Sequence, residues 1–212
     1  MNYYQEITLL PDVEIPLGFI WQNVFQQIHI ALVENKVGPN QSAIAVGFPD
    51  YKQTSFPLGS KLRLFAKEQA QLEKLAINNW LTRFKDYAHV KCIKPVPAEA
   101  TFVSYARKHI KSVERIEREM HEKALLWATK SGKPLEQCLL DLEKTKPVGH
   151  SKLPFIFLHS QETKRRSPNE NSKFPLFITK VDVNTKQDGT FDCYGLSAKF
   201  NSENNLGCVP QF

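Results

Sequence analysis

The first residue in this 212-residue chain whose type and position could do chemistry is His29. It follows Phe25 by one helical turn, in a segment where Leu17, Ile20, Trp21, Val24, Phe25, Ile28 and Leu32 recur at three- and four-residue spacing. At about 100° per residue those positions form one apolar stripe, and His29 falls on its edge rather than at its centre. A half-buried imidazole there, with an ordinary pKa of about 6.5, can take a proton near neutral pH if a neighbouring hydroxyl or carbonyl orients its ring. A histidine that merely borders the core satisfies the same spacing.

A second set of candidates is basic. The acid-free run 101–111, Thr-Phe-Val-Ser-Tyr-Ala-Arg-Lys-His-Ile-Lys, sets Arg107, Lys108 and Lys111 beside two aromatics. Arginine's fork donates two parallel hydrogen bonds to a guanine edge or a phosphate, and lysine adds a less directional charge. A solvated linker between domains is the competing reading. Residues 144–173 repeat the pattern with seven basic and two acidic residues, including Lys164-Arg165-Arg166, although Ser167 to Ser172 have the composition of a disordered loop.

The overall charge agrees with a polyanionic ligand. The chain carries 28 Lys+Arg against 22 Asp+Glu; residues 1–100 hold 10 basic and 9 acidic residues, whereas 101–212 hold 18 and 13. The surplus belongs to the second half. Four scattered cysteines, Cys92, Cys138, Cys193 and Cys208, form no zinc-ligand spacing and read as reduced thiols. No stretch approaches the roughly 18 apolar residues of a membrane span, and the N-terminus lacks signal-peptide character, so the expected address is the cytoplasm. Phosphate-loop, dinucleotide, HExxH and nucleophile-elbow motifs are all missing from the sequence.

The elements that must position these residues follow from periodicity. Strand chemistry at 3–10 precedes the 17–32 helix; strands are expected at 43–48 and 61–65, a helix at 68–80 and a strand at 89–93. The order β-α-β-β-α-β is that of a ferredoxin-like domain, and the class is α+β. The expected domain spans 1–95, followed by a basic linker at 96–111 and a C-terminal region at 112–212. That region reads as helices within 112–145 and a β region at 153–212, with strands at 153–158 and 174–179 and an Asp188-Gly189 hairpin leading into 190–194. The 112–129 helix alternates Arg115 and Arg118 with Glu114, Glu117, Glu119 and Glu122, which is the pattern of a solvated face with salt-bridge pairs.

Taken together, the chain resembles the CRISPR-associated endoribonucleases of subtype I-F, also called the Ypest-subtype repeat-processing family. The resemblance rests on Leu10-Pro11-Asp12, the helix with Phe25 and His29-Ile-Ala-Leu32, Val46-Gly47-Phe48-Pro49-Asp50, Val96-Pro97, Leu153-Pro154-Phe155, Ser160-Gln161, Cys193-Tyr194-Gly195-Leu196-Ser197 and Val209-Pro210. Cys-Tyr-Gly-Leu-Ser, and Leu-Pro-Phe followed by Ser-Gln, are its most specific parts.

The resemblance implies an enzyme that cuts the precursor CRISPR transcript at the 3′ base of each repeat hairpin and stays on the product as a subunit of a type I-F surveillance complex. The family's histidine falls on His29, its serine on Ser160 and its ring-orienting tyrosine on Tyr194. His29 would accept the proton of a ribose 2′-hydroxyl, Ser160 would hold that hydroxyl, and Tyr194 would hydrogen-bond the imidazole. The product would be a 2′,3′-cyclic phosphate, with no metal or other cofactor required in principle. For RNA binding the resemblance implies Arg107 as reader of a base pair low in the stem, with Lys108, His109 (where the family pattern has glutamine) and Lys111 beside it. Phe174 would stack on the terminal base pair. Arg115 and Arg118 match the family's arginine-rich helix, and Gln161, Arg165 and Arg166 lie in the inserted segment beside Ser160. The competing reading is a hairpin-binding subunit that does not cleave.

Overall fold

Apolar alternation and helical stripes place most elements where the sequence puts them. A computed structural model describes residues 1–111, 113–145, 153–160, 172–185, 187–198 and 205–212, and shows an α+β chain with two antiparallel sheets. Residues Met1–Lys108 and Pro154–Phe212 make one unit and His109–Leu153 a second, so the divisions fall beside Lys108 and Leu153.

In the first unit, β1 (Tyr3–Leu9) turns Ile7 and Leu9 into the core. α1 (Leu17–Glu34) buries Trp21, Val24, Phe25, Ile28 and Leu32 against it, and the Trp21 indole N–H is satisfied by the Gly59 carbonyl at 2.7 Å. β2 (Ala45–Gly47) and β3 (Lys61–Ala66) follow, then α2 (Gln69–Leu75), α3 (Ile77–Trp80), β4 (Ala88–Val90) and the short β5 (Lys94–Pro95). The strand order is β2-β3-β1-β4, with β5 also on β1. The helix expected over 68–80 is broken at Ala76, which sits in the left-handed region at φ 47 and closes α2 by donating its N–H to the Leu72 and Glu73 carbonyls. No glycine marks that stop, so the sequence gives no sign of it. On the other face of this sheet, Glu6 pairs with Arg63 at 2.8 Å and Lys91 at 2.6 Å, and Arg63 covers the Phe212 ring.

The second sheet, order β7-β8-β6-β9, corrects the expected linker. Thr101–Lys108 is strand β6, hydrogen-bonded on one side to β8 (Lys173–Asp182) and on the other to β9 (Val209–Gln211). Val103, Ser104, Tyr105 and Ala106 are all buried, and the basic residues that suggested a linker occupy only its last two positions. β7 (Phe155–His159) forms the outer edge beside β8. The Asp188-Gly189 hairpin and the 190–194 strand are not seen; isolated bridges join Asp188 to Gly207 and Phe191 to Ser42 and Ser197. The chain turns back on itself there because the Asp192 carboxylate captures the amides of Tyr194 and Leu196.

The second unit contains α4 (Val113–Ser131), closed by Gly132 at φ +70, and α5 (Leu135–Glu143). Among its described residues Ile116, Ala124 and Cys138 are buried, whereas Trp127 is 38% exposed. Among the described residues, no helix is long and apolar enough to cross a membrane.

One polar contact joins α1 to β7. Gln26 is only 9% exposed, although at about 100° per residue it lies roughly 160° around the helix from the middle of the stripe. Its Oε1 accepts the His159 N–H at 2.8 Å, and its Nε2 has no partner among the described residues. Gln26→Met keeps the volume but orphans the His159 amide, so it should cost about 1–3 kcal/mol. The check is a drop in urea midpoint at constant m-value; an unchanged midpoint would show that the bond contributes nothing.

Candidate active site

His29 is half buried, as its place on the stripe's edge predicts. Its Nδ1 lies 2.9 Å from the Cys193 carbonyl oxygen. A carbonyl can only accept, so Nδ1 carries the proton and Nε2 keeps its lone pair. Burial holds the His29 pKa below its ordinary value; the Cys193 carbonyl opposes that shift and the nearby Arg107 charge reinforces it. The ring is therefore neutral at pH 7 and has one nitrogen available as a base.

The bond expected from Tyr194 is thus made by the backbone of its neighbour, and Tyr194 acts differently. Its ring stacks on the imidazole, with centroids 4.2 Å apart and planes 11° from parallel. The Tyr194 hydroxyl is engaged by Arg107, whose guanidinium carbon lies 5.4 Å from the Tyr194 ring centre and 5.5 Å from that of Phe174. His29, Tyr194, Arg107 and Phe174 make one continuous series of planar groups, drawn from α1, the 191–198 loop, β6 and β8.

The loop holding Cys193 and Tyr194 is tied down at several points. Asp192 Oδ1 accepts the Tyr194 N–H at 2.8 Å and the Leu196 N–H at 3.1 Å, and the Asp192 N–H returns to the Leu196 carbonyl at 2.8 Å. Gly195 sits at φ +72, and its carbonyl accepts the Val46 N–H at 2.8 Å; a Cβ there would come within 2.4 Å of Val46 Cγ2. Only glycine allows both the turn and that approach to β2. Ser42 and Ser197 add bonds from their amides to the Phe191 and Tyr105 carbonyls. Burial pushes the Asp192 carboxyl up to about 6, against the pull of its two amide donors and Arg107.

Ser160 immediately follows β7, and its amide donates to the Ser172 carbonyl at 2.8 Å. The Gln26 bond to His159 brings this strand end to α1, three residues before His29 in the same helix. Phe174 pairs in register with Leu158, two residues before Ser160. The structure thus gathers His29, Tyr194, Arg107 and Phe174, with Ser160 at the adjoining strand end. Gln26, Asp192 and the Cys193 carbonyl are the supports that sequence reasoning missed. Only the Asp192-x-x-Gly195 turn chemistry carried any signal for them.

Lys108 follows Arg107 in β6 and so faces away from it. His109, Lys111, Arg115 and Arg118 belong to the second unit. There, Glu119 pairs with Lys111 and, at 2.9 Å, with Arg115; the hydrogen bond from Lys111 is the main cause of its lowered pKa. Arg118 is exposed. Gln161, Arg165 and Arg166 lie outside the described residues.

Comparison with known proteins adds a family to this geometry. Residues 4–212 match the family described as CRISPR-associated protein (Cas_Csy4). A CRISPR-associated endonuclease Cas6/Csy4 from Pseudomonas aeruginosa (strain UCBPP-PA14) is 29% identical over 202 residues, covering 93% of this chain and 96% of the relative. Another from Escherichia coli (strain UTI89 / UPEC) is 28% identical over 199 residues with the same shares. Matching from the first strand to the last, with the stacked histidine and its loop inside the match, the chain belongs to the Cas_Csy4 family of CRISPR-associated proteins.

Proposed function

We propose that this protein is an endoribonuclease that binds a CRISPR repeat stem-loop and cuts at the hairpin's 3′ base. The observation that carries the reading is the bond from His29 Nδ1–H to the Cys193 carbonyl, which leaves Nε2 as a neutral base. The stacked Tyr194 ring keeps the imidazole plane fixed during proton transfer. Ser160 holds the 2′-hydroxyl that precedes the scissile phosphate. The 2′-oxygen bonds to phosphorus as the bond to the 5′-oxygen breaks; the hydroxyl proton passes to His29, which later releases it to solvent, and the leaving oxygen takes a proton from water to end as a 5′-hydroxyl. Because the nucleophile belongs to the substrate and the base to the protein, this route to a 2′,3′-cyclic phosphate needs no metal-activated water.

In this reading Arg107 meets a base edge at the foot of the stem with its fork, and Phe174 caps the last base pair. The β2-β3-β1-β4 order, with helices between β1 and β2 and between β3 and β4, supports a ferredoxin-like domain over residues 1–95. Arg115 and Arg118 of α4 and the inserted Gln161, Arg165 and Arg166 add further RNA contacts, and the protein remains on its product as a cytoplasmic surveillance-complex subunit.

The deciding experiment incubates the protein in excess EDTA with repeat RNA, beside His29→Ala and a substrate with 2′-deoxyribose at the cut. One cut ending in a 2′,3′-cyclic phosphate is expected, slowed roughly 10²–10⁴-fold in the variant and abolished by the deoxy substrate. Tight binding with no cut would replace the nuclease with a binding platform.

The lowered His29 pKa sets a pH dependence. In the free protein the neutral, reactive form persists as pH falls through 6.5, and kcat/KM for cleavage, which reports the free enzyme, should decline only below that value. An acid limb centred at or above 6.5 would remove His29 from the role of base.

Glu119 occupies Lys111 and Arg115, two cations that would otherwise face phosphate. Glu119→Gln should tighten hairpin binding and steepen the salt slope by roughly 0.7–0.9 log units for each further phosphate that these cations neutralise. A slope that stays the same would mean that α4 does not face the RNA backbone.

A further inference from the structure

Opposite the candidate site, the second sheet presents a face that no part of the proposed mechanism uses. Along β7 exposure alternates: Phe155, Phe157 and His159 point outward while Ile156 and Leu158 are buried. Phe155 is 42% and Phe157 38% exposed, large areas for aromatic rings on a strand. In register on β8 and on the same face stand Phe177, Pro175 and Lys173, and Lys108 of β6 is paired with Phe177. Phe155 meets Phe157 edge-on at 5.1 Å and Phe177 at 5.3 Å; the Lys173 ammonium lies 4.5 Å from the Phe157 ring centre. These positions carry three aromatic rings, two lysines and a histidine, and no carboxylate.

We propose that this face is a stacking platform for single-stranded RNA, taking the nucleotides that follow the scissile phosphate on its 3′ side. Successive outward residues on a strand lie about 6.5–7 Å apart, a spacing that lets neighbouring bases splay onto Phe157 and then Phe155. Single-strand binders combine such aromatic faces with cations that follow the backbone, and here Lys173 and Lys108 supply the cations. Position favours the same ligand. β7 is the sheet's outer strand, His159 closes it on the platform face and Ser160 is the next residue along the chain, so an RNA strand leaving Ser160 has a single sheet edge between it and the platform. The lack of acid at these positions is charge complementarity to a polyanion. The inference rests on the proposed cleavage site, and it makes the uncut transcript bind more tightly than the trimmed hairpin.

The test compares two RNAs, each with 2′-deoxyribose at the cut: the hairpin alone, and the hairpin extended by eight unstructured 3′ nucleotides. Wild-type protein should bind the extended RNA roughly tenfold more tightly, in keeping with about one stacked base. Phe155→Ala, Phe157→Ala and the double variant should lose that gain while binding the short hairpin as before. A photoreactive 4-thiouridine in the first three flanking positions should crosslink to the β7 peptide. Equal affinity for the two RNAs, or a gain that survives in the double variant, would overturn the platform. Self-association or subunit binding that disappears in the double variant while the flank effect stays would assign the face to a protein instead. Failure to bind even the short hairpin would overturn the proposed function, and the platform with it.

Discussion

Everything at the candidate site depends on one hydrogen bond, from His29 Nδ1–H to the carbonyl of Cys193. A histidine on a helix can rotate about two side-chain torsions and exchange tautomers, and either freedom would spoil a base that must meet one proton. The carbonyl removes both, because it accepts from one nitrogen only and lies in one place. Its position is in turn fixed by a loop with little freedom. Asp192 gathers the Tyr194 and Leu196 amides, Gly195 takes the left-handed conformation that lets the backbone reach Val46, and Ser197 bonds to the Tyr105 carbonyl of β6. Loss of any of these ties would be felt at the imidazole, although none of the groups involved does chemistry.

The same loop holds a cost. Asp192 is nearly buried, and its carboxyl is raised from 3.8 to about 6. Between those values the folded chain keeps a proton that the unfolded chain releases, so this group's contribution to stability falls as pH rises through that window. At neutral pH the chain therefore sustains an ionised buried carboxylate against its own stability. What it gains is an acceptor for two amides at the turn, which a neutral carboxyl would hold less strongly.

Much of the first sheet was legible in the sequence because apolar spacing is a local property. The α1 stripe, the alternation in β1 and β3, and the place of His29 at the stripe's edge all follow from one-dimensional pattern. What could not be read depended on contacts distant in the chain. β6 was hidden by Arg107 and Lys108, which gave a buried strand the surface character of a linker. Gln26 was hidden because the side of α1 away from the stripe ought to face water, and only the arrival of β7 buries it. Tyr194 was tied to the histidine by resemblance, yet its stacking depends on backbone turns that residue types alone do not specify. Tertiary packing decides such cases, and it leaves little periodic trace.

Arg107 connects recognition to chemistry. Its charge, together with burial, lowers the basicity of His29, and its guanidinium also touches Tyr194 and approaches Phe174. In the free protein the imidazole is therefore neutral and a weak base. A phosphate entering beside Arg107 brings negative charge that offsets the guanidinium, and the withdrawal of water strengthens the attraction between that phosphate and an imidazolium. In the proposed function these changes together would favour the protonated ring, making His29 a better base as the RNA is seated. On that reading Arg107 both meets the foot of the stem and tunes the proton acceptor, and proton transfer becomes easiest when the correct phosphate is in place.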